Sequence, residues 1–298
     1  LQDSVHRAAL LSLHARVAGT TPSSWEHPSL LQVWGPRYSL FVVAAEDLAV
    51  FTLGRLPDDA AGRRRAEDMA ARLEALLAGA SMTYSQAGHA LGLNPNALRY
   101  GATTGRIVLR WDGARRPTVW TRPPPEVDPG AARLELCRRY LHVFGPATPA
   151  GFRSWGGIGR REAGAAFEAL APEVTPVRTP IGEAWILSRD EPDFRAAPEP
   201  PAAARLLPSG DAYFLLQGAD RELLVPEAAG RRSLWTTRVW PGAVLAEGEI
   251  VGTWRRSKAS LTIEAWRPLT LDTRRAVEAE AGSLPLPGEG RLTITWSA

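Results

Sequence analysis

Apolar and polar positions alternate most clearly between residues 81 and 123. Thr83 is a suitable cap for a short helix over Tyr84 to Leu91, and Gly92 ends that helix. Asn94-Pro95 opens a second helix, because a polar cap followed by proline in the first turn favours a helix start. The pattern therefore predicts two short helices joined by a tight turn.

Two strands follow these helices. Ile107 to Trp111 alternate as a strand, Asp112-Gly113 form a turn, and Thr118 to Trp120 pair back. Two helices followed by a hairpin are typical of a winged helix. We therefore expect a winged-helix domain over residues 81–127, with a stiff proline-rich connector at its end.

Helical periodicity dominates the residues before this domain. An opening helix, apolar at Val5, Ala8 and Leu11, should stop near Gly19, and a long helix is predicted over residues 58–79. Between them, Arg37 to Val43 alternates toward a strand. Residues 1–80 are therefore predicted to form an N-terminal winged-helix-like domain.

The remaining residues fall into two parts. Residues 128–204 predict three short helices and two strands, which is a third winged-helix domain, followed by a linker at 190–204. Cys137 and His142 are expected to pack in or beside these helices without a chemical role. Residues 205–298 read mainly as strands, beginning with Arg221 to Val225. The predicted fold class is α+β, with tandem winged-helix domains followed by a β-rich, barrel-like C-terminal domain.

Positive charge is concentrated in the winged-helix domain at 81–127. Residues 81–123 carry six basic and one acidic side chain, against a net charge of +3 for the whole chain. In a helix-turn-helix with a wing, the second helix and the wing are the parts that meet DNA phosphates, and the basic residues of 81–123 lie on those parts. Solvated arginines without a binding role are the alternative interpretation. The predicted DNA contacts are Arg99, Arg106, Arg110, Arg115, Arg116 and Arg122.

Composition narrows the remaining functions. The chain has 298 residues and no apolar run near the roughly 20 residues of a membrane span. No secretory signal is visible, so we expect a cytoplasmic, nucleoid-associated protein. One cysteine and five histidines offer neither a disulfide nor metal-ligand spacing, so no metal or cofactor is expected. The expected partner is double-stranded DNA, bound by a monomer without contact to a membrane.

Three further tracts carry recognisable motifs. They are Arg37 to Leu48, a Gly-Pro-Ala-Thr and Trp-Gly pattern between Tyr140 and Ile158, and Val239 to Arg256 with its Trp-Pro-Gly and Gly-Thr-Trp-Arg-Arg sequences. In order and spacing they resemble the AlkZ/YcaQ family of bacterial winged-helix DNA glycosylases. The resemblance covers most of the chain. It implies tandem winged helices around a concave DNA channel and excision of alkylated or adducted bases.

The resemblance also implies where the chemistry takes place. The family signature is Gln, an apolar residue, then Gln or Asp at the end of the first long helix, and His14-Ala15-Arg16 corresponds to it here. Glycosidic cleavage develops positive charge on the sugar, so the site needs a positioned water and a neutral or negative group. His14 would position the water, Arg16 would contact a phosphate or the leaving group, and Glu26 or Asp47 would stabilise charge. Ordinary helix-end chemistry is the alternative for His14 and Arg16.

Two tryptophans flank this tract. Trp25 and Trp34 would replace the stacking neighbours of an extruded base, and Arg37 would contact DNA beside them. Core packing is the alternative for both rings. The sequence thus predicts a DNA glycosylase that hydrolyses the N-glycosidic bond of alkylated or bulky-adduct purines in duplex DNA. A non-catalytic winged-helix DNA-binding protein, either a regulator or an adduct-binding factor, is the alternative function.

Overall fold

The computed structural model of the chain describes residues 1–3, 5, 7–111, 117–198, 201–286 and 292–297. A 3-10 helix covers Pro95–Thr104. In chain order, helices α1 to α11 span Ala8–His14, Leu48–Phe51, Ala60–Leu77, Tyr84–Ala90, Pro129–Phe144, Pro149–Gly156, Arg160–Ala169, Glu191–Arg195, Asp220–Leu224, Ala228–Leu234 and Leu271–Ser283.

The strands lie between or after these helices along the chain, singly or in groups of two or three. Strands β1 to β12 span Leu30–Trp34, Leu40–Ala44, Met82–Thr83, Ile107–Arg110, Thr118–Thr121, Val174–Thr179, Gly182–Leu187, Ala204–Leu207, Gly242–Ala246, Glu249–Ser257, Ser260–Ala265 and Thr293–Ser297. The mixed α+β class predicted from the sequence is confirmed. Among the described helices, none is both long and apolar enough to cross a membrane.

The chain divides into two compact units. The first joins Leu1–Glu26 to Arg195–Ala298, and the second is His27–Phe194. The boundary at residues 194 and 195 lies inside the predicted linker at 190–204, which also contains α8. The four-domain division at 1–80, 81–127, 128–204 and 205–298 stays a prediction.

In the unit His27–Phe194, one sheet has the strand order β2-β1-β4-β5-β3. The predicted pairing of the two hairpin strands is confirmed as β4 and β5, while the predicted turn at Asp112-Gly113 lies outside the described residues. Strand β1 pairs with β4 at Gln32 and Leu109. The predicted cap is confirmed as well, because Thr83 and Gln86 form a reciprocal capping box at the start of α4. Gly101 lets the 3-10 helix approach α3, since a Cβ there would lie 3.1 Å from the backbone nitrogen of Ala70.

The same unit contains the three predicted helices α5, α6 and α7 and the hairpin of β6 and β7. Thr148 caps α6 through a hydrogen bond from Gly151 N, as its sequence predicts. Tyr140 and Trp155 pack in an aromatic cluster, with ring centroids 5.2 Å apart. Cys137 is fully buried in this helical core, as expected.

In the unit formed by Leu1–Glu26 and Arg195–Ala298, the sheet order is β12-β11-β10-β9-β8. Strands β11 and β12 are parallel, and the other pairs are antiparallel. Helix α11 packs on this sheet through Val277 and Ala281, and Leu11 of α1 joins the same core. Within the described strands, β12 and β8 lie at opposite ends of the order, so no closed barrel is found.

One predicted strand is wrong. Residues 221–225 were expected to be extended, but residues 220–224 form helix α9. Asp220 and Glu222 lie in its first turn, where negative charge is favourable beside the positive end of the helix dipole. Pro226 explains where the helix ends, because the residue before a proline is restricted away from helical geometry and Val225 is extended. These local preferences outweigh the β propensity of a single Val225.

Candidate functional site

His14 is the last residue of α1, and its ring orientation is set by α11. Its Nε2 lies 3.1 Å from Oγ of Ser283. The Ser283 hydroxyl donates its proton to the carbonyl oxygen of Glu280 at 2.8 Å. Because a serine hydroxyl has one proton, its oxygen accepts from Nε2–H of His14. Nδ1 of His14 therefore carries the lone pair and can accept a proton or hold a water molecule.

Arg16 is held by a buried carboxylate that the sequence reasoning missed. Its two terminal nitrogens donate to the two oxygens of Asp211 at 2.8 and 2.7 Å. The Arg16 side chain is 39% exposed, whereas that of Asp211 is 0% exposed. The hydroxyl of Ser12 and the backbone N–H of Tyr213 also donate to Asp211, at 2.5 and 2.8 Å. Four donors therefore converge on one buried carboxylate, and the charge of Arg16 is balanced locally.

A second ion pair lies beside the same tract. Arg205 donates through Nε to the carbonyl oxygen of Ala15 at 3.2 Å. One terminal nitrogen of Arg205 lies 3.6 Å from Glu280, whose side chain is 9% exposed. Since Glu280 also accepts the proton of Ser283 through its backbone, the pair connects Ala15 with the helix that orients His14. Arg16 and Arg205 are thus each paired with a carboxylate.

The other predicted site residues of this unit lie at the 3-10 helix Ser24–Glu26. Trp25 is 8% exposed, and the guanidinium carbon of Arg7 lies 3.7 Å from its ring centroid. This arrangement is a cation–π contact that covers the ring. Glu26 is exposed. Stacking of Trp25 on a base and charge stabilisation by Glu26 stay predictions.

Three predicted site residues lie in the part of the unit His27–Phe194 that precedes residue 81. Asp47 accepts from both terminal nitrogens of Arg139 at 3.1 and 3.0 Å. Trp34 is 4% exposed in the core of this unit, in edge contact with Tyr84. Arg37 has a left-handed backbone with φ 55° and donates to the carbonyl oxygen of Trp155 at 2.8 Å. All three side chains make contacts within the unit, and their roles with DNA stay predictions.

The predicted DNA contacts of residues 81–127 differ in their surroundings. Arg106 is 19% exposed and forms ion pairs with Glu67 and Glu74 on α3. Arg99 is half-buried, while Arg110 and Arg122 are exposed at the ends of β4 and β5. Arg115 and Arg116 lie outside the described residues. Of the four predicted contacts that lie in described residues, the two exposed ones are at the ends of β4 and β5, and Arg106 is ion-paired with two carboxylates.

Sequence reasoning also missed an aromatic cluster beside Arg99. Tyr100, on the 3-10 helix, is 44% exposed and makes an edge contact with Tyr38, with centroids 5.6 Å apart. The guanidinium carbon of Arg65 lies 5.8 Å from the Tyr100 ring centroid. Aromatic faces combined with arginine are the chemistry that accepts unstacked bases. The only sequence signal was a tyrosine next to an arginine on the second predicted helix.

Metal ligation has no support in the described residues, where no group of three or more His, Cys, Asp or Glu side chains could hold an ion. The arrangement around residues 12–16 instead provides one imidazole lone pair beside a neutralised arginine. Such a site can hold a water molecule and transfer a proton.

The sequence also matches a family of known proteins. A model of DNA glycosylases, described as DNA glycosylase AlkZ-like, matches residues 1–285. The match covers nearly the whole chain and confirms the resemblance seen in the sequence motifs. The chain belongs to the AlkZ-like family of DNA glycosylases.

A solved structure shows the same fold. The chain superimposes on DNA glycosylase AlkZ of Streptomyces sahachiroi with a TM-score of 0.78 and 19% sequence identity. The alignment covers 100% of this chain and 91% of that chain. No curated protein matches the sequence.

Proposed function

We propose that the protein is a DNA glycosylase that hydrolyses the N-glycosidic bond of alkylated or bulky-adduct purines in duplex DNA. The observation that carries the proposal is family membership over residues 1–285. An N7-alkylated purine is already cationic and leaves with little acid assistance. The enzyme then has to position a water molecule and tolerate positive charge on the sugar.

The hydrogen bonds around His14 support its role as the water-positioning base. Nε2 donates to Ser283, so Nδ1 is the acceptor. A histidine in this tautomer holds a water through Nδ1 and takes its proton as the water attacks the sugar carbon. Ser283 is then a positioning residue, because it acts through His14.

The ion pair of Arg16 supports compatibility with a cationic transition state. An isolated guanidinium beside an oxocarbenium ion would raise the barrier through like-charge repulsion. Asp211 neutralises that charge at 2.7 to 2.8 Å. The Arg16–Asp211 pair therefore has no net charge, like the glutamine that the family signature allows at the position of Arg16.

We propose that DNA contact extends over winged-helix modules at 81–127 and 128–204. Arg99, Arg110 and Arg122 are the candidates for phosphate contacts, and Tyr100 adds an exposed ring next to Arg99. Phosphate contacts release counterions, so affinity should fall steeply with salt. Glu26 and Asp47 remain the proposed charge stabilisers near the sugar, and Trp25 and Trp34 the proposed stacking residues.

A non-catalytic DNA-binding protein is the second candidate. The observation that favours it is the pairing of Arg16. This residue occupies the second polar position of the signature, and both of its terminal nitrogens are already bonded to Asp211. In this case the scaffold would bind adducted DNA without releasing the base. The two candidates differ in base release and agree in DNA binding.

The test measures apurinic sites, by strand cleavage, in duplex DNA that carries N7- or N3-alkylated purines. His14→Ala should lower base release by about 10²- to 10⁴-fold, the usual cost of losing a positioned general base. Affinity for undamaged duplex should stay nearly unchanged. Ser283→Ala should give a smaller loss and shift the pH profile, because the imidazole loses the acceptor that fixes its tautomer.

The matched control is His27→Ala, which removes an exposed histidine bonded to Ser29. Base release by this variant should equal that of the wild type. If wild type and His14→Ala both release no base above the uncatalysed background and still bind DNA, the non-catalytic candidate replaces the glycosylase. If His14→Ala retains full activity, the imidazole is not the base.

A further inference from the structure

A cleft of about 880 Å³ lies in the unit formed by Leu1–Glu26 and Arg195–Ala298. Helices α9 and α10 form one side, and the ends of β10 and β11 form the other. The volume lies in the range of roughly 300 to 1,000 Å³ that small-molecule sites occupy. Its size therefore fits a drug-sized ligand.

The charged groups of the cleft leave it negative. Glu227, Glu249 and Glu264 line it together with Arg267. Arg267 is bonded to Glu249 at 2.8 Å, so these two charges cancel. Among the described residues, Glu227 and Glu264 have no ion-pair partner. Two carboxylates therefore favour a cation and disfavour an anion such as a DNA phosphate.

The apolar lining includes an aromatic ring with an unused donor. Nε1 of Trp266 is buried and has no hydrogen-bond acceptor among the described residues. A ligand acceptor that reaches this N–H would satisfy a donor that is otherwise unpaired. Gly230 of α10 lets the helix lie against this indole, because a Cβ there would be 3.0 Å from the ring. The ring is thus held in place on the wall of the cleft.

Two large apolar side chains of the lining remain open to solvent. Tyr213 is 39% exposed and Leu223 is 41% exposed. Burial of these surfaces by a flat molecule is favourable, and a cation over Trp266 or Tyr213 gains further from the negative ring face. The cleft therefore combines apolar walls, aromatic rings, a buried and unpaired N–H donor in one of those rings, and excess negative charge.

We propose that this cleft binds a small organic cation with a flat heteroaromatic body and a hydrogen-bond acceptor. Glu227 and Glu264 provide the charge selectivity, and Trp266 provides the stacking surface and the N–H donor. Because a polyanion is repelled by the same carboxylates, the site is separate in its chemistry from contact with the DNA backbone.

The test compares two pairs of probes that differ only by a methyl group and a positive charge. The pairs are 1-methyladenosine against adenosine, and N-methylquinolinium against quinoline. Calorimetric titration of the full chain near pH 7 should give about tenfold tighter binding of each cation, equivalent to about 1.4 kcal/mol. Saturation-transfer NMR should report contact of the ring protons with the protein.

Variants locate the binding in the cleft. Glu227→Gln combined with Glu264→Gln should remove the preference for the cation and leave binding of the neutral probe unchanged. Trp266→Phe should weaken binding of 1-methyladenosine more than binding of N-methylquinolinium, because only the first cation keeps ring acceptors for the lost N–H. Glu183→Gln, an exposed carboxylate of the other unit, is the matched control and should bind like the wild type.

Thermal unfolding of each variant checks that the fold is intact, and the Glu→Gln changes are isosteric and at the surface. Equal binding of charged and neutral probes, no binding of either pair at about 1 mM, or a double variant with full cation preference would each overturn the proposal.

Discussion

The ion pair of Arg16 and Asp211 gives a quantitative prediction. Arg16→Gln removes two charge-assisted hydrogen bonds from a carboxylate that is 0% exposed. Glutamine can replace one of the donors but not the positive charge. The change therefore leaves a buried negative charge that has lost its guanidinium and keeps the hydrogen bonds from Ser12 and from the backbone N–H of Tyr213.

The magnitude follows from the burial of the two side chains. Breaking a fully buried pair costs about 3–5 kcal/mol. Arg16 is 39% exposed, so water screens the pair and moderates the loss. We therefore expect the free energy of unfolding to fall by about 2 kcal/mol, roughly a thirtyfold change in the folded-to-unfolded ratio. DNA affinity should change little, because Asp211 already neutralises Arg16.

The assay is a double-mutant cycle of urea unfolding with Asp211→Asn as the second change. In the double variant two amides face each other without a net charge, so it should be more stable than the two single losses added together predict. Arg275→Gln is the control, because its pair with Asp272 joins side chains that are 77% and 95% exposed. Its loss should stay within about 0.5 kcal/mol. Additive losses in the cycle, or an Arg16→Gln loss as small as the control, would refute the reasoning.

Three further predictions concern the interior. Gly101→Ala should destabilise the protein by about 1–3 kcal/mol in urea unfolding and weaken duplex binding, because the added Cβ would clash with α3 and move the helix that carries Arg99. Arg55→Met should lower the unfolding temperature strongly, since the buried guanidinium is the donor to the carbonyl oxygens of Trp34 and Gly156. Burial raises the pKa of Cys137 from 9.0 to about 12. As pH rises, the thiol ionises earlier in the unfolded chain than in the folded protein. The contribution of Cys137 to the free energy of unfolding is therefore fully present below about pH 9 and is lost as the pH rises toward 12. Cys137→Ala should show a smaller fall in the free energy of unfolding over that pH range.

Local signals in the sequence predicted much of the fold. The caps at Thr83 and Thr148 were identified correctly, because capping depends on residues only three positions apart. The hairpin of β4 and β5 was equally local. The pairing of β1 with β4 joins Gln32 to Leu109, and the alternation within each strand does not specify its partner. A different limit explains why α9 was taken for a strand. Five residues are too few to distinguish the period of a helix from the period of a strand.

The candidate site was predictable only in part. His14 and Arg16 were identified through the family motif, but their partners Asp211 and Ser283 are 195 and 269 residues away. Asp211 follows a Ser-Gly turn, which indicates a loop and does not indicate a buried carboxylate. The partners became visible only when folding placed α1 beside the C-terminal strands and α11.

Charge balance would allow an arginine to lie in the proposed site of a cationic transition state. A DNA glycosylase needs uncompensated positive charge where phosphates lie and little net positive charge where the sugar ionises. Arg122 is exposed just after β5, in the region proposed to contact phosphates. Arg16 and Arg205 are instead paired with Asp211 and Glu280. If the sugar is cleaved near His14, removal of Asp211 should therefore slow base release more than removal of the whole Arg16–Asp211 pair, because only the first change leaves an unbalanced cation.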